Sequence, residues 1–338
     1  MMVLKIALIG LGRAGRFHLN SIRRASGIQL KYVVDLESTA AEAVAAEFGC
    51  SALSDTGPVF QDPDIDAVIV ATPTLTHYDY VMAALQAGKS VLTEKPLGVS
   101  LKQIDECYQE AEKKDRILFL AFNRRFDPSF SQVAQRVKNG DIGTVQIVRT
   151  TSRDHPLPSM DYIKTSCGIF HDCIVHDLDM LRFLTGEDPE EVFAYGSNFI
   201  DSIKELDDLD TVIVQLKFAS GMLATIDISR NAVYGYDQRV EVFGSRGMLQ
   251  AENRIATTTV HFSEGSVQRP AIDPSFPTRY QEGYFIELVS FRDCVLHGKV
   301  LPITHADARK NYIMAHTAEE SCRSGKPMKI DYGCGVSK

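Results

Sequence analysis

The sequence has no C-x-x-C pair, and its seven cysteines (Cys50, Cys107, Cys167, Cys173, Cys294, Cys322 and Cys334) are odd in number. That excludes a disulfide framework and a zinc-finger type of site, and it points to a reducing compartment, the cytoplasm. Cys167 and Cys173 read as small packing residues. There is no basic surplus. Lys and Arg number 36 against 44 Asp and Glu, for a net charge of -8, so nothing in the charge calls for a nucleic-acid or acidic-membrane partner. No run approaches the ~20 apolar residues of a membrane span. The first ten residues lack the basic n-region and cleavage site of a signal peptide, and the final Gly-Val-Ser-Lys is no known address. Internal repeats, low-complexity tracts and charge runs are also missing.

What is present is an ordinary globular composition, 44% hydrophobic and 24% charged over 338 residues. At ~100 to 200 residues per domain, that makes about two domains.

Residues 3–9 are a short apolar run, followed at once by Gly10-Leu11-Gly12-Arg13-Ala14-Gly15. This is G-x-G-x-x-G on a strand-to-helix junction. Gly10 permits the tight turn, Gly12 admits a pyrophosphate to the backbone beside Arg13 and Ala14, and Gly15 lets the helix pack closely. The helix N-terminus then offers free N–H groups and its dipole to the phosphates. Residues 30–34 form a second strand ending at Asp35, twenty residues after Gly15. A carboxylate there binds the ribose hydroxyls and repels a 2'-phosphate, while Leu36 and Glu37 offer no cation to hold one. The expected cofactor is therefore NAD. Without a nucleotide, Asp35 would simply cap the helix at 38–48.

Helices at 38–48, 77–87 and 101–114 alternate with strands at 67–70, 90–92 and 117–121. This predicts a doubly wound parallel sheet of the Rossmann type, with its ligand beyond the carboxyl ends of the strands. Those ends carry Thr72, Thr74 and His77, then Glu94-Lys95-Pro96, then Asn123-Arg124-Arg125. Thr72, Thr74, His77, Glu94 and Asn123 are expected around the cofactor. A desolvated lysine at such an end, Lys95, can lower the pKa of a neighbouring hydroxyl; as a surface ion pair with Glu94 it would do nothing of the kind.

From residue 124 the pattern changes. A helix at 129–138, a strand at 144–151 and a polar loop at 153–166 lead into residues 168–186. Here Asp172, His176, Asp179 and Phe183 share one helical face, and Ile174, Leu178 and Leu181 share the other. A histidine one turn after a carboxylate can be oriented by it and made more basic, which suits a group that exchanges a proton near neutral pH. The bland alternative is a solvated i,i+4 pair. Strand-like runs at 191–200, 211–218, 222–230 and 236–243, separated by short turns, predict an α+β domain with a large, mostly antiparallel open sheet. Val212, Val214, Leu216, Ile226 and Ile228 point to apolar residues beyond a single face, and hence to a homo-oligomer, dimer or tetramer, through that sheet. Helices at 280–296 and 306–324 close the chain. The expected division is residues 1–123 and 124–338. His171, His261, His297, His305 and His316 read as structural or surface residues, no second cluster of histidines and carboxylates is evident, and no metal is expected.

Together, Gly10 to Gly15, Glu94-Lys95-Pro96, Asn123-Arg124-Arg125-Phe126 and the Asp172/His176 pair resemble the Gfo/Idh/MocA family of sugar and cyclitol oxidoreductases, in order and over essentially the whole chain. Asp35, His155, Asn231-Ala232-Val233-Tyr234-Gly235-Tyr236-Asp237 and Phe276-Pro277-Thr278-Arg279-Tyr280 resemble the members that oxidise inositols. The resemblance implies NAD-dependent oxidation of a cyclitol secondary alcohol, myo-inositol to scyllo-inosose, with Lys95, Asp172 and His176 catalytic. It also implies substrate contacts from His155 and Tyr236, and more weakly from Tyr234. His155-Pro156-Leu157-Pro158-Ser159 departs from a recognisable pattern, so other inositol isomers, or an aldose such as glucose, stay open as substrates. Either Lys95 or His176 can be the proton acceptor. A non-catalytic NAD-binding regulator on the same fold is the rival of another class; it predicts loss of Lys95, Asp172 or His176, and all three are present.

Overall fold

The computed structural model describes residues 2–333; Cys334 and the terminal Gly-Val-Ser-Lys lie outside them. The chain divides into two compact units.

The first unit opens with strand β1 (Leu4–Ile9), helix α1 (Arg13–Arg24), β2 (Ile28–Val34), α2 (Ser38–Phe48), β3 (Ser51–Leu53), α3 (Gly57–Gln61), β4 (Ala67–Val70), α4 (His77–Gln86), β5 (Ser90–Glu94), α5 (Leu101–Lys114) and β6 (Leu118–Ala121). All six strands are parallel, in the order β3-β2-β1-β4-β5-β6. β4, β5 and β6 are buried along their whole length, as strands covered by helices on both faces must be. The sequence predicts this sheet but not β3 or α3, which are too short to carry a period. Strand order reverses between β1 and β4, and ligands of open parallel sheets bind at the carboxyl ends beside such a reversal.

The second unit begins at α6 (Pro128–Lys138), whose N-cap Asp127 accepts the Ser129 and Phe130 N–H groups at 3.0 and 3.1 Å. Strand β7 (Val145–Arg153), α7 (Met160–Thr165), a π turn (Phe170–Ile174) and α8 (Val175–Thr185) follow. Next come β8 (Pro189–Ser197), α9 (Asp201–Lys204), β9 (Thr211–Phe218), β10 (Leu223–Ser229), β11 (Asp237–Gly244) and β12 (Gly247–Ala251). A small hairpin, β13 (His261–Ser263) with β14 (Ser266–Gln268), and the turn α10 (Phe276–Arg279) complete this stretch. The large sheet runs β12-β11-β7-β10-β9-β8-β15, its last strand β15 being Met328–Lys329. It is antiparallel except for β7 with β10. That one parallel pair brings the residues after β7, the residues after β10 and the start of β11 to the same end of the sheet.

Two expectations are corrected here. The sequence assigns everything after residue 123 to the second domain, whereas α11 (Gln281–His297) and the start of α12 (His305–Ser324) belong with the first unit, which takes in Gln281–Tyr312. Leu288, Phe291 and Cys294 of α11 enter the first unit's core, where Phe291 meets Phe119 edge to face at 5.8 Å. Such contacts join residues far apart in sequence and leave no local signal. Secondly, Val212, Val214, Leu216, Ile226 and Ile228 all lie on the buried face of the sheet. The exposed large apolar side chains on its strands are Tyr195, Ile213, Leu223, Phe243 and Met248.

Candidate active site

In the first unit the three loop glycines do different jobs. Gly10 has φ +93° and its Cβ would stand 2.6 Å from the Ala71 carbonyl oxygen; a Cβ on Gly15 would stand 2.1 Å from the Gly10 carbonyl oxygen. Larger residues would push α1 off the sheet. A Cβ on Gly12 would meet nothing within 4 Å, so the backbone there is open to a ligand. Beside it lies a pocket lined by Leu11, Gly12, Arg13, Arg16, Asp35 and Glu37. Asp35 Oδ2 accepts the Leu11 N–H at 2.6 Å and Oδ1 accepts the Glu37 N–H at 2.9 Å. These bonds fix the carboxylate, and each oxygen keeps a lone pair for a ribose hydroxyl. The residues therefore fit the adenosine end of NAD. Arg16, not expected from sequence, reaches this pocket because it lies one turn along α1 from Arg13.

At the other strand ends, His77 is buried with Nδ1 2.7 Å from the Pro96 carbonyl oxygen and Nε2 2.8 Å from the Thr72 carbonyl oxygen. It ties the loop after β4 to the Lys95-Pro96 loop. Burial lowers its pKa below the ordinary imidazole value, against the pull of the two carbonyls. Thr72 also accepts the Thr76 hydroxyl at 2.8 Å, and Thr74 opens the short 3-10 turn Thr74–Thr76. Glu94 turns inward, its Oε1 2.9 Å from Nε2 of the fully buried His18. Lys95 is half-buried, and Asn123 is buried at the start of the turn Asn123–Phe126.

In the second unit, Asp172 and His176 do not lie on one uninterrupted α-helix. Asp172 belongs to the π turn and His176 to the first turn of α8. α8 is buried nearly all round, including Asp177, which accepts the Ser152 hydroxyl at 2.7 Å, and Asp179; the expected division into a packed face and an open face does not hold. Asp172 is buried, and its Oδ1 accepts the Tyr162 hydroxyl at 2.7 Å while its Oδ2 lies 3.0 Å from Nη1 of the fully buried Arg230. Arg230 Nη2 reaches Asp208 Oδ2 at 2.9 Å, and Asp208 Oδ1 accepts the Ile169 N–H at 2.9 Å, just before the π turn. A guanidinium at this distance favours the ionised carboxylate, and an ionised Asp172 is what an imidazolium at His176 requires. His176 is half-buried.

His155 follows β7 and is half-buried. Tyr236 is nearly buried, with ring centroids 6.3 Å from Phe276 and 6.0 Å from Tyr280. Tyr234 is more exposed, and its hydroxyl donates to Asp237 at 2.7 Å and accepts from Arg153 at 3.1 Å.

A family model described as an oxidoreductase family with an NAD-binding Rossmann fold matches residues 4–122, and one for the Gfo/Idh/MocA C-terminal domain matches residues 130–250. The myo-inositol 2-dehydrogenase of Thermotoga maritima is 38% identical over 97% of this chain and 99% of its own. The chain belongs to the Gfo/Idh/MocA oxidoreductase family. This Gfo/Idh/MocA protein is also 35% identical to the scyllo-inositol 2-dehydrogenase (NAD+) of Bacillus subtilis, over 97% of its own length and 96% of the relative's. The scyllo-inositol dehydrogenase from Lactobacillus casei, solved with bound NAD(H) and scyllo-inositol, matches with a TM-score of 0.90 at 27% identity, over 97% and 99% of the two chains. No helix among the described residues of this family member is long and apolar enough to cross a membrane, and no disulfide forms among them. Tyr162 and Arg230, which bond to Asp172, and Asp208, which bonds to Arg230, are neighbours of the candidate site that sequence reasoning missed. Their only signal is a charged Arg230 interrupting the end of an apolar strand.

Proposed function

We propose that this protein is an NAD-dependent inositol 2-dehydrogenase that oxidises a ring CH–OH to a ketone, with myo-inositol as substrate and scyllo-inosose as product. The observation that carries this reading is the likeness to the Thermotoga maritima enzyme, which runs through both units and almost the whole of each chain. The glycine loop and Asp35 hold the coenzyme, with Arg13, Ala14, Thr72, Thr74, His77, Glu94 and Asn123 shaping its surroundings. Bound NAD supplies the hydride acceptor. His176 takes the hydroxyl proton as general base, and Asp172, held by Tyr162 and Arg230, orients it and stabilises the imidazolium. Lys95 stabilises the developing alkoxide; the other order, with Lys95 taking the proton first, uses the same groups. His155 and Tyr236 contact the polyol. No metal takes part in this chemistry.

A second reading, scyllo-inositol as substrate, is favoured by the comparable identity to the Bacillus subtilis enzyme. The test is turnover of NAD with myo-, scyllo- and chiro-inositol and glucose, followed by NADH absorbance. Highest kcat/KM with myo-inositol is the expected result. Preference for scyllo-inositol would move the substrate and keep the mechanism. No turnover with any of the four would remove the inositol reading. We also place the protein in the cytoplasm, where its thiols stay reduced, as a homo-oligomer joined through the sheet face that bears Tyr195, Ile213, Leu223 and Phe243. Light scattering of wild type and Ile213→Asp tests the assembly; a monomeric wild type would remove it.

A further inference from the structure

The sequence shows no second cluster of histidines and carboxylates, but folding makes one. His316 and Glu319 lie three residues apart on α12 and so share a face. His171, far off in sequence, reaches them from the π turn that also carries Asp172. Its Nε2 is 3.4 Å from Glu319 Oε2, the two imidazole centroids are 6.3 Å apart, and one ligand atom from each of the three residues lies within 4.8 Å of the others.

We propose that His171, His316 and Glu319 bind a divalent transition-metal ion of the Zn²⁺, Co²⁺ or Ni²⁺ class. Two imidazoles and one carboxylate suit such ions, whereas Mg²⁺ and Ca²⁺ take oxygen ligands. Bonds of ~2.0–2.2 Å in a tetrahedral site need ligand atoms about 3.4 Å apart. The widest spacing must therefore close by about 1.4 Å, which the exposed His316 side chain can supply by turning. Arg323 donates to Glu319 Oε1 at 2.7 Å, which leaves Oε2 toward His171 and fixes the carboxylate as an outer partner does in metal sites. Glu320, 3.7 Å from His316 Nε2, adds negative charge beside the site. Three protein ligands leave the fourth position to water. The bound ion would tie the π turn to α12, and this site lies within the second unit and does not depend on the reaction proposed above.

The test uses untagged full-length protein stripped with a chelator and then titrated with Co²⁺, followed by its visible absorption, and with Zn²⁺ by equilibrium dialysis. One ion per chain at micromolar free metal is expected, with a thermal midpoint that rises with Zn²⁺ concentration. His316→Ala, at an exposed position, and His171→Gln each remove a ligand and should weaken binding by at least the ~10- to 100-fold that loss of an outer partner costs, and abolish the midpoint shift. Equal affinity in wild type and His316→Ala, or binding no tighter than millimolar, would overturn the site.

Discussion

Arg230, without measurable exposure, holds the Asp172 carboxylate at 3.0 Å. The contact joins the end of β10 to the π turn, and it leaves the arginine no route to water. Replacing Arg230 by Gln strips the charge from between the buried Asp172 and the half-buried Asp208 and leaves Asp172 without its cation. Removal of one partner from a buried ion pair costs about 3–5 kcal/mol, so the unfolding free energy of the second unit, extrapolated from urea denaturation, should fall by an amount in that range, with a lower midpoint. Turnover should fall with it, because an Asp172 that takes up a proton no longer stabilises an imidazolium. A variant with wild-type midpoint and kcat would show that Arg230 does not set the state of Asp172.

His176→Ala removes the group proposed to accept the substrate proton. A positioned base contributes ~10²- to 10⁴-fold, and kcat should drop by that factor. NADH affinity, read by fluorescence, should stay unchanged, since the nucleotide pocket is built by the first unit alone. Full kcat in the variant would shift the proton-accepting role to Lys95.

The parallel sheet was legible because its strands are continuous apolar runs and its helices end at glycines; α2, for example, stops at Gly49 in the left-handed conformation. Asp35 was legible because its position follows from the count along one βαβ unit. The π turn was not, since the pattern from Asp172 to Phe183 fits an uninterrupted helix, and the extra residue per turn is stabilised by contacts from Asp208 and Arg230 that are distant in sequence. The same holds for Glu94. Read locally it is the partner of Lys95, yet its carboxylate points at His18 on α1, a contact set by the packing of α1 on the sheet.

Asp35→Ser tests the coenzyme. The variant loses the charge that repels a 2'-phosphate and keeps at most one of the bonds to Leu11 and Glu37. Arg13 and Arg16 already line the pocket and can then pair with the phosphate. Losing a hydrogen bond to a charged group, about 1.5–3 kcal/mol, corresponds to at least about a tenfold fall in kcat/KM for NAD, while kcat/KM for NADP should rise. An unchanged NAD to NADP ratio would remove Asp35 from coenzyme selection.

Glu287 of α11 is fully buried, and neither of its carboxyl oxygens has a hydrogen-bond partner among the described residues. Burial first, and the nearby Glu94 charge second, push its pKa well above the ordinary 4.5. The folded chain therefore keeps a proton on Glu287 at pH values where the unfolded chain has released it. Its contribution to stability is present below pH 4.5 and is lost as pH rises from there through the folded-state pKa, with a slope of up to ~1.4 kcal/mol per pH unit. Glu287→Gln keeps the shape and removes the titration. Measured by urea unfolding between pH 5 and 8, the variant should show the flatter profile, so that its stability relative to wild type improves as pH rises. Parallel profiles would mean that Glu287 is ionised in the folded protein, with a cation or water supplying the stabilisation that the packing around it does not.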